Sequence, residues 1–180
     1  MSKVFVFGAS SSKQSINKQL ANYAANLIPE VDLNAVDLND FEMPIYSIDK
    51  EKATGIPDLA KQFKAHINSS DGIIVSFAEH NGSYTTAFKN ILDWISRLEK
   101  PVWGNKPMLV LSTSQGARGA ASVHQAAVLG CGYMGGEVVG QMSLPSFDQN
   151  FDSTAGIVDA ELKAELAGQV AKFIAALALV

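Results

Sequence analysis

The chain is short of cysteine, of histidine, of positive charge and of long apolar runs, and each shortage closes a class of function. Cys131 is its sole cysteine, so an internal disulfide is impossible and a reducing cytoplasm is the expected location. Three scattered histidines offer no metal-ligand spacing with that cysteine or with one another, so no metal centre is expected. Lys and Arg total 14 against 18 Asp and Glu, a net charge of −4. The basic face of a general nucleic-acid binder is therefore missing, and no nucleic-acid partner is expected. No apolar run approaches the roughly 18 residues that would span a membrane, and the first residues lack a charged-then-apolar signal pattern. A Gly-x-Ser-x-Gly elbow is also absent, which fails the first test of a serine hydrolase.

What remains is a regular alternation of short apolar runs with helical patterns, expected to form one domain over residues 1–180. Strands are predicted at Val4–Phe7, Asp32–Leu38, Gly72–Phe77, Met108–Ser112 and Glu137–Ser143. Helices are predicted at Ser15–Leu27, Pro57–Ser69, Thr85–Leu98, Ala120–Leu129 and Asp159–Ala178. Strand followed by helix throughout predicts an α/β fold, a doubly wound parallel sheet with helices on both faces. Ligands of such sheets sit beyond the carboxyl ends of the strands, so the loops after the first, third and fourth strands are the ones to read. The longest irregular stretch, Asn39 to Ile56, is expected to cross the surface at the same end.

The first of these loops, Gly8 to Asn17, is built almost wholly of small hydroxylated residues and leads into a helix. Free N–H groups, the positive end of a helix dipole and serine hydroxyls make a cradle for a phosphate. The loop matches neither the dinucleotide fingerprint nor the P-loop, so the cradle suits a mononucleotide such as FMN. An ordinary capped turn reads equally well from these residues, since serine is favoured at any helix start. Lys13 is either a counter-charge to the phosphate or a solvated lysine.

The second loop runs Ala78-Glu79-His80-Asn81-Gly82-Ser83-Tyr84 and the third Thr113-Ser114-Gln115-Gly116-Ala117-Arg118-Gly119. Their glycines let backbone approach a flat ligand and offer N–H donors to ring carbonyls. Glu79 and His80 form either a carboxylate–imidazole pair or part of a solvated loop, and Asn81-Gly82 is a turn signal under both readings. Trp94, with Phe88, Ile91, Leu92 and Ile95, reads as a helix face for the core or a subunit contact, with stacking on a cofactor as the alternative. Arg118 is either a cofactor contact or a surface residue, and Cys131 reads as a small buried residue.

At these three loops the chain resembles the NADPH-dependent FMN reductase family, a flavodoxin-like group that includes quinone, azo-dye and chromate reductases. The run Gly8 to Asn17 is similar to the family's Gly-Ser-x-Arg-x-x-Ser-x-Asn, with Lys13 near the arginine and Ser15 and Asn17 as the Ser-x-Asn pair. Glu79-His80-Asn81-Gly82-Ser83, followed by Phe88-Lys89-Asn90-Ile91-Leu92-Asp93-Trp94-Ile95-Ser96-Arg97, resembles the family's loop ending in Leu-Lys-Asn-Ala-Ile-Asp-Trp-x-Ser-Arg. Ser114-Gln115-Gly116 is similar to its Ser-x-Gly loop. Ala78, His80 and Thr85-Thr86 stand where the family has proline, tyrosine and Pro-Gly.

The resemblance implies a flavodoxin-like five-stranded sheet of order 2-1-3-4-5. It implies FMN held by Ser10, Lys13, Ser15, Ile16 and Asn17 at the phosphate and by Glu79, His80, Asn81, Gly82, Ser83, Ser114, Gln115 and Gly116 around the ring. NADPH or NADH would supply hydride, and a small-molecule acceptor such as a quinone, azo compound or free flavin would take the electrons. The cofactor then carries the chemistry and no catalytic side chain is called for. A homodimer or homotetramer, with no membrane partner, is the implied assembly. A non-enzymatic flavodoxin-like electron carrier or a flavin-binding regulatory protein is the alternative. Such carriers are strongly acidic and sandwich the ring between aromatics, whereas these loops offer Tyr84 alone.

Overall fold

The computed structural model describes residues 1–179. Five strands, β1 (Lys3–Ala9), β2 (Asp32–Ala35), β3 (Gly72–Phe77), β6 (Lys106–Thr113) and β7 (Gly136–Leu144), form a sheet of order β2-β1-β3-β6-β7. Every pairing in it is parallel. Two short hairpins, β4 (Glu79–His80) with β5 (Ser83–Tyr84) and β8 (Phe151–Asp152) with β9 (Gly156–Ile157), lie outside it. The helices are α1 (Ile16–Asn26), α2 (Ile48–Thr54), α3 (Asp58–Asn68), α4 (Thr86–Ile95), α5 (Ala121–Tyr133), α6 (Phe147–Asn150) and α7 (Ala160–Leu177). This is the flavodoxin-like order expected from the sequence.

The sheet is covered on both faces because its central strands are apolar on both. Along β1, Phe5 and Phe7 join a core with Phe63 of α3, Phe88 and Trp94 of α4 and Val123 of α5. Val4 and Val6 point the other way, into Leu20 and Ala24 of α1 and Val170 and Phe173 of α7. The strand period of two thus sorts one sequence into two cores. At the end of β1, Gly8 lets α1 start close to the sheet. A Cβ there would stand 2.5 Å from the Lys18 nitrogen.

Two expectations need correction. The second strand pairs only over Asp32–Ala35, not to Leu38. The Asp37 carboxylate accepts from the Asn39 N–H and turns Leu38–Phe41 into a short 3-10 helix that buries Leu38 and Phe41. The stretch Asn39 to Ile56, expected to be irregular throughout, contains α2, capped by Ser47 and ended by Gly55. No residue of α2 is buried, so the apolar stripe that announces a helix is missing from its sequence.

The segment before α2 is strapped across α4. Pro44 O accepts from Trp94 Nε1 at 2.8 Å, and Asn90 Oδ1 accepts from the Tyr46 N–H at 2.8 Å. Trp94 is 1% exposed, so its side chain packs in the core of its own chain.

His66 on α3 lies flat against Phe5, ring centres 5.5 Å apart, and its Nδ1 accepts from the Asn34 amide at 2.9 Å. Burial, aided by Lys3, holds its pKa below the ordinary histidine value. The unfolded chain therefore takes up the proton first as acid is added, so stability present above about pH 6.5 falls as the pH drops below it. In urea melts, His66→Gln should flatten this acid loss relative to the parent chain.

Candidate active site

Three loops meet beyond the carboxyl ends of β1, β3 and β6, where the direction of chain winding changes on either side of β1. The cleft they enclose measures about 240 Å³ and is lined by Ser10, Ser15, Ile16, Asn17, Glu79, His80, Ser114 and Gln115. Eight of the thirteen residues singled out in the sequence are thereby brought to one place. Ser12, Gln14, Ala78 and Thr113 line it too, without having been singled out. Lys13 is exposed on the first loop, while Asn81, Gly82 and Ser83 form the exposed tip of the β4–β5 hairpin. Neither they nor Gly116 line the cleft. A larger cleft of about 420 Å³ lies on the other side of Ser11, against Leu38, Phe41 and Ile91, but it meets neither of the other two loops.

The first loop is arranged as a donor set. Ser15 caps α1 by accepting from the Lys18 N–H at 3.2 Å, and Ser10 Oγ accepts from the Ser12 N–H at 3.2 Å. Both oxygens are occupied as acceptors within the loop, so each hydroxyl proton is left for an outside acceptor. The N–H groups of Ile16 and Asn17 open the helix and have no intramolecular partner among the described residues. With the dipole of α1 behind them, these donors fit a phosphate.

The Asn17 side chain does something else. Its Oδ1 accepts from Ser76 Oγ at 2.7 Å and from the Thr113 N–H at 3.0 Å, and its Nδ2 donates to Thr113 O at 3.1 Å. Asn17 is 2% exposed. The residue thus offers the cleft its backbone donor, while its amide is spent inside the protein.

The second loop is clamped onto α5. Glu79 Oε2 accepts from the Val123 N–H at 2.8 Å in the first turn of that helix, where a carboxylate also meets the positive end of the dipole. At the other end of the hairpin, Tyr84 OH donates to Ala126 O at 3.1 Å. Burial pushes the Tyr84 hydroxyl up to about 12, and its ring packs on Phe77 and Phe88. Glu79 is therefore a helix cap and not the partner of His80, and Tyr84 belongs to the core and not to a ring sandwich. Arg118 stays exposed on the third loop, and among the described residues its guanidinium donates one hydrogen bond, to the Ser122 hydroxyl at 3.3 Å.

The sequence model of the NADPH-dependent FMN reductase family matches residues 2–149 of the chain. The chain belongs to this family. A 2-hydroxy-1,4-benzoquinone reductase from Burkholderia sp is 33% identical over 178 residues, covering 96% of this chain and 94% of that protein. An NADPH:quinone oxidoreductase from Arabidopsis thaliana is 27% identical over 172 residues, covering 91% and 86%. Among solved structures, the flavoenzyme NAD(P)H:(acceptor) oxidoreductase FerB from Paracoccus denitrificans superposes with a TM-score of 0.79 at 24% identity, covering 99% and 98%. Oxidised flavodoxin 1 from Bacillus cereus gives 0.58 at 15% identity, covering 96% and 97%. These structural likenesses show the fold, and the family shows the class of activity, an oxidoreductase that uses FMN and NAD(P)H.

The clamp between Glu79 and α5 is open to a direct test. Glu79→Ala should lower stability by about 1 kcal/mol in urea melts, the usual cost of a lost helix cap.

Proposed function

We propose that this chain, acting as one domain, passes two electrons from NADPH or NADH to a quinone-class acceptor through FMN held in the three-loop cleft. Azo compounds and free flavins belong to the same class of flat oxidants. The observation that carries this reading is the donor set of the first loop, where the hydroxyl protons of Ser10 and Ser15 and the N–H groups of Ile16 and Asn17 line one cleft without an acceptor among the described residues. Ser10, Ser15, Ile16 and Asn17 hold the phosphate, and exposed Lys13 stands as counter-charge. As a point charge it lacks the planar fork that an arginine would bring.

The ring lies between the hairpin and the third loop, against Glu79, His80, Asn81, Gly82 and Ser83 on one side and Ser114, Gln115 and Gly116 on the other. The N–H groups of Gln115 and Gly116 have no intramolecular partner among the described residues and suit ring carbonyls. When bound, FMN supplies the chemistry, taking hydride from the nicotinamide and giving electrons to the acceptor. No protein acid or base is assigned to either half-reaction. Quinone is preferred as acceptor because the relatives that match most of the chain are named as quinone reductases.

Arg118 is the arginine best placed for the phosphates of the nicotinamide cofactor. Arg97, the other candidate, is engaged by Glu51 at 3.0 Å. A second copy of the chain is proposed to pack on α5, whose outward Leu129 and Tyr133 are 75% and 93% exposed. That helix carries no Asp, Glu, Lys or Arg. The outward side of α4, by contrast, is closed by the Lys89–Asp93 ion pair. The cytoplasm is the proposed location, in keeping with the buried free thiol of Cys131.

An anaerobic FMN titration followed by NADPH or NADH tests the reading. Tight binding, bleaching of the flavin and its recovery on adding a benzoquinone are expected. Binding without bleaching would overturn the reductase, and no binding would overturn the site. In the same titration Ser15→Ala should weaken FMN about tenfold or more, since a hydrogen bond to a charged group contributes roughly 1.5–3 kcal/mol.

A further inference from the structure

A hydroxyl in the middle of an apolar strand must find a partner or destabilise the sheet. Ser76 is such a residue. It is 0% exposed on β3, in register between Gly8 of β1 and Leu111 of β6. Its hydroxyl donates to Asn17 Oδ1 at 2.7 Å. With the Thr113 N–H on the same oxygen and the Thr113 carbonyl on Nδ2, the Asn17 amide is held at both its ends.

Asn17 is the second residue of α1. Fixing its side chain fixes the rotation and depth of the first turn, and with them the direction of the free Ile16 and Asn17 N–H groups. We propose that Ser76 is a positioning residue for the cofactor phosphate: from inside the sheet it aims these two donors through the Asn17 amide, touching no ligand itself. Hydrogen bonds to an anion depend steeply on angle, so a small rotation of the turn weakens both donors together. The Ser76 and Thr113 contacts also tie α1 to β3 and β6, whose loops form the other walls of the cleft. This inference rests on the reading of the cleft as an FMN site.

FMN and riboflavin differ only in the phosphate, so their affinity ratio isolates the proposed effect from general damage. Ser76→Ala leaves Asn17 Oδ1 its bond from Thr113 N–H, so no buried oxygen is orphaned by the change. In titrations of the full chain, Ser76→Ala should lower FMN affinity about tenfold while riboflavin affinity moves by less than about twofold. Ser76→Cys, with the same shape and a weaker donor, should fall between the two and carries the same ratio test if the alanine variant does not fold. An unchanged ratio, whether both ligands keep their affinity or lose it alike, would overturn the proposal and leave Ser76 a purely structural residue. A parent chain that binds FMN no better than riboflavin would overturn the phosphate site itself, a result told apart because it precedes any variant.

Discussion

The buried amide of Asn17 is the point on which sheet and cleft both depend. A parallel sheet covered on both faces leaves its useful polar groups only at strand ends, and those ends must be held in a common frame. Backbone pairing does this within the sheet but cannot reach a helix that starts beyond it. Asn17 supplies the missing link, with three hydrogen bonds to β3 and to the end of β6. The same residue contributes a free N–H to the cleft, so the stability of the frame and the aim of the donors are set by one side chain.

The other two loops are fixed by the same economy of polar groups. Ser112 and Ser143 both donate to Gly119 O, at 2.9 and 2.6 Å, which ties the third loop to β6 and β7. Ser114 O and Gly116 O accept from the Phe147 and Ser146 N–H groups, each at 3.0 Å. Glu79 and Tyr84 bind the hairpin to α5 from either end. Inward groups are thus consumed by the scaffold, while the N–H groups of the cleft-lining residues Ile16, Asn17 and Gln115 are left without a partner among the described residues. A cofactor site of this kind is made as much by satisfying the surrounding donors as by leaving a few of them free.

The parallel sheet with helices on both faces could be read from the sequence because it follows from periodicity, whereas its strand order came only with the family resemblance. Phe5 and Phe7 alternate with Val4 and Val6, and β3 and β6 carry the apolar runs Ile73–Val75 and Met108–Leu111. The clustering of the three loops followed from the rule that sites lie at carboxyl ends. The partnership of individual polar side chains was not legible. Glu79 and His80 are neighbours in sequence, yet the carboxylate serves a helix 44 residues away. Asn17 looked like a phosphate donor because its place in the loop showed, while its 59-residue link to Ser76 did not. A signal for that link was present: Ser76 interrupts the run Ile73-Ile74-Val75, where a lone hydroxyl implies a buried partner. Helix α2 escaped for the opposite reason, having no buried face to leave a pattern.

The loop residues that depart from the family pattern acquire a physical meaning in this frame. Thr85 stands where proline is usual, and it is 1% exposed. Its Oγ1 donates to Ala9 O at 3.0 Å and accepts from the Phe88 N–H at 3.2 Å, so it both caps α4 and ties that helix to the end of β1. A proline presets the backbone at a helix start but offers no side-chain donor, so threonine exchanges preset geometry for a bond to the first loop. His80 differs in kind, since it is exposed at the mouth of the cleft and its side chain makes no hydrogen bond among the described residues. The first substitution therefore bears on how the loops are held and the second on the chemistry of the cleft mouth. Differences between relatives at the Thr85 position should accordingly follow stability, while those at the His80 position leave the scaffold bonds untouched.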